Sequence, residues 1–439
     1  MMTQDTHSTY LIVGAGVFGA STAYHLSKHV APSSITVIDR TSLPPAPAAS
    51  TDINKIIRAD YSDPFYCNLA YEAIDAWSSW PELKPFYHRT GWVMLDEEGS
   101  DLAERTRKVF RDRGLDPTKD IPLKELGRDD RWGGILKDTD TKGFRDAYWN
   151  PEAGWCEAAN ATAKIMEAAI GYGVRYVQGE VSSLMSDSNN HIHGIRTHDG
   201  QTYTAEKMIL ATGAWTSALL SPLEDTLEIP IPDRIEAQAS AAGVAVAHYR
   251  LTATEMTSLH SMPVLVYGEN GEVIPPPAQN RLLKYTNAHT FSNTIVTPSG
   301  HAISVPPDRD QRIVPRRLRH ETQKLMMDRV LPSYARSKEA EYWRLCWDAR
   351  TPSQDWLLCR HPDARLSNLF FAIGGSFHSY KFLPTVGRYM ANVVLGRSNG
   401  GEEDRRWGWK KDGFKGRGAH EKTAPKRELR ELEDEVARL

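Results

Sequence analysis

The apolar runs of this chain are short, and most end in glycine, proline or charge. Tyr10 to Val13 is the first, and it feeds Gly14, Gly16 and Gly19. Behind these glycines Ala20, Ala23, Leu26 and Ser27 recur at helical spacing, and Ile35 to Ile38 forms a second apolar run ending in Asp39. The order predicts strand, glycine turn, helix, strand. The prolines of residues 41–51 exclude a regular element there and predict a loop. Phe65, Leu69, Ala73 and Trp77 mark one buried face of a helix over 64–80. Residues 86–150 mix short strands with charged helices. A helix over 151–171, a strand over 174–181 and a strand from Met208 into Gly213 follow. Between 228 and 344 the runs at 240–246, 263–266, 281–286 and 293–296 predict an antiparallel sheet. Leu369 to Ile373 returns as a buried strand into Gly374 and Gly375, and 384–395 reads as a helix. Beyond Gly396 the chain is charged and poor in apolar residues, with a surface helix predicted over 422–438.

The G-x-G-x-x-G spacing has a physical purpose in that first unit. One glycine allows the tight turn, the next admits a pyrophosphate to the backbone, and the third lets helix and strand pack closely. The helix amides then face the phosphates, and an acid about twenty residues later accepts from a ribose hydroxyl. Asp39 stands at that place. The unit predicts dinucleotide binding, and cannot by itself separate NAD from FAD.

At 439 residues the chain is long enough for two domains, and a formal charge of -3 gives no footprint for a polyanion. Nucleic acid is therefore not an expected partner. No apolar run reaches about eighteen residues, and Met1 to Thr9 is polar, so neither a membrane span nor a secretory signal is expected. Cys67, Cys156, Cys346 and Cys359 lie far apart, without the spacing of a metal site or a disulfide framework. These features read as an intracellular enzyme. The sheet that opens the chain is completed near its end, so a nucleotide-binding fold is interrupted by a second domain.

Gly14 to Gly19, Asp39-Arg40, Asn54-Lys-Ile-Ile-Arg58, Ala211-Thr-Gly-Ala-Trp215 and the stretch from Cys346 to Lys381 occur in one order. Together they resemble the D-amino-acid-oxidase-type flavoproteins over most of residues 8–397. The branch most similar holds monomeric sarcosine oxidase, pipecolate oxidase, fungal saccharopine oxidase and the fructosyl amino acid oxidases (amadoriases). The resemblance implies an α/β, Rossmann-like FAD-binding domain, discontinuous over 8–85, 151–227 and 345–397. It also implies an inserted α+β, antiparallel-sheet substrate domain over 86–150 and 228–344, with 398–439 left as a charged tail. The implied activity is oxidation of a secondary amine's C–N bond, with O2 returned as H2O2, in a monomer.

Under the same resemblance the cofactor contacts are Val13, Gly14, Gly16, Val17, Phe18, Gly19, Asp39, Arg40, Ser50, Thr51, Asn54, Lys55 and Val181. The later ones are Cys346, Gly375, Ser376, Phe377, His378 and Lys381. The cysteine matching Cys346 forms a thioether to the flavin 8α-methyl, which needs a thiolate favoured by nearby positive charge. Lys381, with Arg58, matches groups that hold a substrate carboxylate. Lys55 sits where sarcosine oxidases carry arginine and amadoriases carry lysine. Lys284 aligns with the lysine that activates oxygen, where a preplaced cation stabilises developing negative charge. The catalytic set is thus Lys284, Lys55 and Lys381, and no metal is expected.

Two departures bear on substrate. Amadoriases carry an acid four positions after the oxygen-activating lysine, to bind sugar; here that position is Ala288. The loop before Lys381 reads Gly-Ser-Phe-His where amadoriases have Asp-Ser-Gly-His. The expected substrate is therefore a secondary amino acid of the saccharopine, pipecolate, sarcosine or N-methyl type. A fructosyl amino acid oxidase is the alternative, and an NAD(P)-dependent dehydrogenase a distant one. The chain closes on Ala437-Arg438-Leu439, a small-basic-leucine end of the type read by the peroxisomal import receptor.

Overall fold

The structure is a computed structural model that describes residues 6–128, 132–188, 191–411 and 424–433. The opening unit forms as its pattern predicts: β1 (His7–Val13), α1 (Val17–Leu26) and β2 (Ile35–Asp39). β1 lies in the middle of an eight-stranded sheet. Parallel to it run β2 and then Arg175–Gln178 on one side, and Thr202–Leu210 and then Leu369–Ile373 on the other. Thr202–Leu210 has two neighbours on its outer side. Its first residues pair with the hairpin strand Ile192–Thr197, and its last with Leu369–Ile373. The strand from late in the chain thus completes the sheet that begins it. Helix α1 packs on Val386–Val394 at Gly387, where a Cβ would come within 2.0 Å of Ser21 backbone.

A second eight-stranded sheet runs Tyr342–Arg350, Ser240–Arg250, Leu282–Phe291, Gly271–Ile274, Val264–Tyr267, Trp92–Glu97, Phe144–Asn150 and Lys119–Asp120. It is antiparallel with one exception. Val264–Tyr267 pairs parallel to Trp92–Glu97, which arrives from the separate segment 86–150 and not through a hairpin. Tyr342–Arg350 pairs along its length with Ser240–Arg250. Its alternation puts Arg344, Cys346 and Asp348 on the face turned towards the first sheet. A small sheet of β3 (Lys55–Ile57), Tyr87–His88 and Gly154–Cys156 lies between the two. Helix α2 (Pro64–Ser79) follows, capped by the Asp63 carboxylate on the Phe65 N–H at 3.0 Å.

Two expectations need correction. Residues 151–171 are not one helix: Gly154–Cys156 is a strand and the helix is Ala158–Tyr172. Gly154 explains it, since a Cβ there would lie 2.1 Å from the His88 carbonyl oxygen, the close approach that β pairing needs. The charged tail is not a bare surface helix either. Among the described residues it forms Gly401–Trp407 and the four-residue Leu429–Leu432, and Trp407, Leu429 and Leu432 are buried. These three large apolar side chains anchor it, which average composition conceals. Ala437-Arg438-Leu439 lies outside the described residues. Among those residues no helix is long and apolar enough to cross a membrane.

Candidate active site

The glycine turn leaves no room for side chains. Gly14 turns the chain at φ +99°, and its N–H donates to the Ile38 carbonyl at 2.8 Å. A Cβ on Gly14 would lie 2.5 Å from the Ala211 carbonyl oxygen, and one on Gly19 1.8 Å from that of Gly14. Gly19 therefore acts through packing, while Val13, Gly14, Gly16, Val17 and Phe18 line a cavity of about 1700 Å3. The Asp39 carboxylate also lines it and accepts the Ala15 N–H at 2.7 Å. Burial raises its pKa, against the pull of that N–H. Arg40 lies 4.7 Å over the Trp215 ring, and both face the same space, as does Val181.

Ser50 and Thr51, from the proline loop, cover the start of α1. The Ser50 hydroxyl oxygen is buried without a partner. The first turn of α1 carries no acid, so its amides and this hydroxyl present donors to one point. Arg344 pins the loop through the Ala48 carbonyl at 2.9 Å and the Thr51 carbonyl.

The cavity continues to Cys346, which sits 4% exposed opposite Val244. Lys55, from β3, places its Nζ 4.0 Å from the sulfur. Burial works against the Lys55 ammonium, but the Cys346 sulfur and the Asp52 carboxylate outweigh it and hold its pKa at about 12. Beyond the sulfur, Gly374 to Phe377 makes a tight loop, with Ser376 at φ +47° and Phe377 at φ +63°. Asp348 holds it by accepting the Phe377 N–H at 2.8 Å, and a Cβ on Gly375 would strike that carboxylate at 2.5 Å. This is backbone shaped for close approach by a flat ligand. Gly375, Ser376, Phe377 and His378 all line the cavity.

Lys284 and Asn54 sit behind the cavity wall. The Lys284 ammonium, 1% exposed, donates to Asp52 Oδ2 and the Asn54 carbonyl, each at 2.9 Å. Burial lowers the Lys284 pKa. Asp52 overcomes its burial through Lys284 and Lys55, and its carboxyl is held well below the usual range. His248 faces the same carboxylate at 3.7 Å, stacks 4.0 Å from Tyr342, and has a pKa lowered by burial. Asn54 donates to the Pro275 carbonyl at 2.8 Å, leaving its Oδ1 buried and unpartnered.

At the far end Lys381, 3% exposed, donates to the Tyr61 hydroxyl at 2.9 Å and to the His378 carbonyl. Tyr61 in turn lies 2.9 Å from His378 Nδ1, and His378 Nε2 lies 2.8 Å from the Gln354 carbonyl. A carbonyl can only accept, so Nε2 carries the proton and Nδ1 accepts from Tyr61. Arg58 is clamped 4.7 Å over Tyr61 and 4.9 Å over Trp92. Arg58, Tyr61 and Lys381 line one wall. Beneath them Asp60 accepts from Tyr148 at 3.0 Å and Asn150 at 2.8 Å, and burial pushes its pKa up to about 6.

The structure therefore gathers most of the residues expected from sequence around one cavity, with Gly19, Asn54 and Lys284 supporting it from behind. Sequence reasoning missed Asp52, His248, Tyr61 and Asp348. Asp348 was within reach, because strand alternation puts it beside Cys346; the other three depend on tertiary pairing.

A Gly-rich turn on a central parallel strand, running into a cavity that ends at buried cations on an inserted sheet, defines a dinucleotide-dependent oxidoreductase. The chain belongs to the FAD dependent oxidoreductase family, which matches residues 9–393. It is 27% identical to L-saccharopine oxidase of Schizosaccharomyces pombe, over 92% of this chain and 93% of that protein. It is 24% identical to human peroxisomal sarcosine oxidase, over 88% and 91% respectively. The crystal structure of the fructosamine oxidase Amadoriase II from Aspergillus fumigatus superposes with a TM-score of 0.80 at 26% identity, covering 93% and 91%. The orphaned Ser50 hydroxyl, the turn with no space for a Cβ and the Gly374–Phe377 loop fit FAD.

Proposed function

We propose that this protein oxidises the C–N bond of a secondary amino acid, with FAD joined to Cys346. One observation carries the reading: Lys381 and Arg58 share a wall of the same cavity that Gly14, Asp39 and Cys346 line. Bound FAD would supply the two-electron acceptor and pass the electrons to O2, giving H2O2. Asp39 and the amides of α1 would hold its ribose and pyrophosphate, and Lys55, Cys346 and the Gly374–Phe377 loop its ring system.

The protein's own contribution is placement. Lys381 and Arg58 pair with the substrate carboxylate, and Tyr61 fixes both, under the Arg58 plane and at the Lys381 ammonium. The aromatic faces of Tyr61 and Trp92 exclude water around the carboxylate and so strengthen its pairing. Lys284 holds positive charge just behind the wall, where reduction of O2 would build negative charge. The imine product would hydrolyse in water, a step that needs no protein base.

A second reading, a fructosyl amino acid oxidase, is favoured by the likeness to Amadoriase II. Against it, position 288, which lines the cavity, is alanine. An H2O2 assay of the yellow protein decides between them. Turnover of saccharopine, pipecolate, sarcosine or N-methyl amino acids, with none of fructosyl-valine or fructosyl-lysine, supports the proposal; preference for a fructosyl compound overturns it. The terminal Ala437-Arg438-Leu439 we assign as a peroxisomal address. Support comes from the human relative's designation as peroxisomal. Loss of peroxisomal import on deleting the three residues is the test.

A further inference from the structure

Glu272 is a charge that neither the nucleotide cradle nor the carboxylate anchor uses. It lies on Gly271–Ile274 between Val266 and Thr286, its partners in register on either side. Thr286 shares its face with Lys284 and Ala288, two residues away in each direction. Val266, Glu272, Thr286 and Ala288 all line the cavity. The surrounding wall is apolar, built of Trp92, Met94, Val264 and Ile274 with Val266 packed on them.

Two acids of the strand Trp92–Glu97 are engaged, and Glu269, which also lines the cavity, is exposed. Asp96 accepts the Ala103 N–H at 3.2 Å and meets Arg145 at 3.3 Å, and Glu97 accepts from the Glu269 N–H and from Asn270. The Glu272 carboxylate, unlike those of Asp96 and Glu97, has no direct hydrogen-bond or ion-pair partner among the described residues. The Lys55 and Lys284 ammoniums answer the charge of this half-buried carboxylate only through space, so its oxygens keep their capacity for a direct contact with a cation in the cavity. It stands on the second sheet, whereas Arg58 follows β3 and Lys381 follows the Gly374–Phe377 loop.

We infer that Glu272 binds a cationic group on the substrate's nitrogen substituent. The substrate would then be a secondary amino acid with a carboxylate near the reacting C–N bond and an ammonium or guanidinium at its far end, such as an N-substituted basic amino acid. This rests on the amine-oxidase reading and narrows it. Small neutral amines such as sarcosine are poor substrates on this view, and acidic substituents are repelled.

The test uses three N-substituted glycines, ending in ammonium (N-(5-aminopentyl)glycine), methyl (N-hexylglycine) and carboxylate (N-(5-carboxypentyl)glycine). H2O2 release should rank them in that order, with kcat/KM for the ammonium compound at least about tenfold above the methyl one, as expected for a charge-assisted contact. Glu272→Gln should remove that advantage and leave N-hexylglycine unchanged; Glu272→Lys should invert the order. As a readout independent of turnover, the thioether analogue (5-aminopentylthio)acetate should raise the melting temperature of wild type more than that of Glu272→Gln. Equal turnover of all three compounds by wild type overturns the role of Glu272 and leaves the amine-oxidase reading standing. No H2O2 from any of them overturns both. A Glu272→Gln variant that keeps the ammonium preference shows that the carboxylate is not a cation site.

Discussion

Lys55 and Cys346 approach each other from different sheets, with the ammonium nitrogen 4.0 Å from the sulfur. The thiols of Cys67 and Cys359 are pushed up to about 12 by burial, and that of Cys156 further. Cys346, 4% exposed, differs from them in lining the cavity, with Lys55 and Arg344 beside it.

If Cys346 carries the flavin, acid precipitation of wild type should leave the yellow colour in the pellet. Cys346→Ser should release it to the supernatant while still binding FAD, since Gly14, Asp39 and the Gly374–Phe377 loop are untouched. Lys55→Met should slow incorporation of FAD into the apoprotein by about tenfold or more, through loss of the cation beside the sulfur. A colourless pellet from wild type would end the proposal of a covalent link.

Lys284 predicts a separation of half-reactions. Lys284→Met should reduce its flavin anaerobically within a few-fold of the normal rate. Its reoxidation by O2 should fall on the order of 10^2-fold or more, as for loss of one preplaced electrostatic group. The same change leaves the buried Asp52 carboxylate with Lys55, at 3.4 Å, as its remaining lysine, so stability should fall too. Lys284→Met with Asp52→Asn should regain melting temperature and stay slow with O2. Recovery of both together would make the lysine merely structural.

What could be read beforehand follows from sequence distance. Gly14, Gly16, Gly19 and Asp39 fall within one local unit whose spacing is set by strand and helix geometry. Cys346, Gly375 and Lys381 were found through resemblance, because nothing local distinguishes an active cysteine from a core one. The pairing of Lys284 with Asp52 joins residues 232 apart and depends on the register that puts His248 opposite Lys284. No periodicity carries that information. The strand at Gly154–Cys156 was hidden for a related reason: its three residues are too few to show alternation beside a strong helical pattern.

The carboxylate anchor should show a graded loss. Lys381→Met removes a charge-assisted contact, worth about 2–3 kcal/mol, and should raise KM on the order of 10^2-fold. Tyr61→Phe keeps the ring under Arg58 and loses the hydroxyl between Lys381 and His378, so a smaller rise, about tenfold, is expected. Steady-state kinetics on one secondary amino acid check both. A larger effect from Tyr61→Phe than from Lys381→Met would mean that Tyr61 itself touches substrate.

Asp60 predicts a pH-dependent stability. Its folded pKa, about 6, lies above the ordinary value of 3.8, chiefly because it is buried. Between those values the native state holds a proton that the unfolded chain has lost. Stability from this group is therefore greatest below about pH 4, falls as pH rises to 6, and is lost above it. The full span corresponds to on the order of 3 kcal/mol. Asp60→Asn keeps a side chain that can pair with Tyr148 and Asn150 but has no proton to lose. Denaturant unfolding should find the variant close to wild type at pH 4.5 and clearly more stable than wild type at pH 7.5. Arg58, whose charge opposes the rise, sets the sign of a further check: Arg58→Met should move the Asp60 titration upward and widen the window. Parallel stability profiles for wild type and Asp60→Asn across pH 4 to 7 would mean that Asp60 ionises at its ordinary value despite burial.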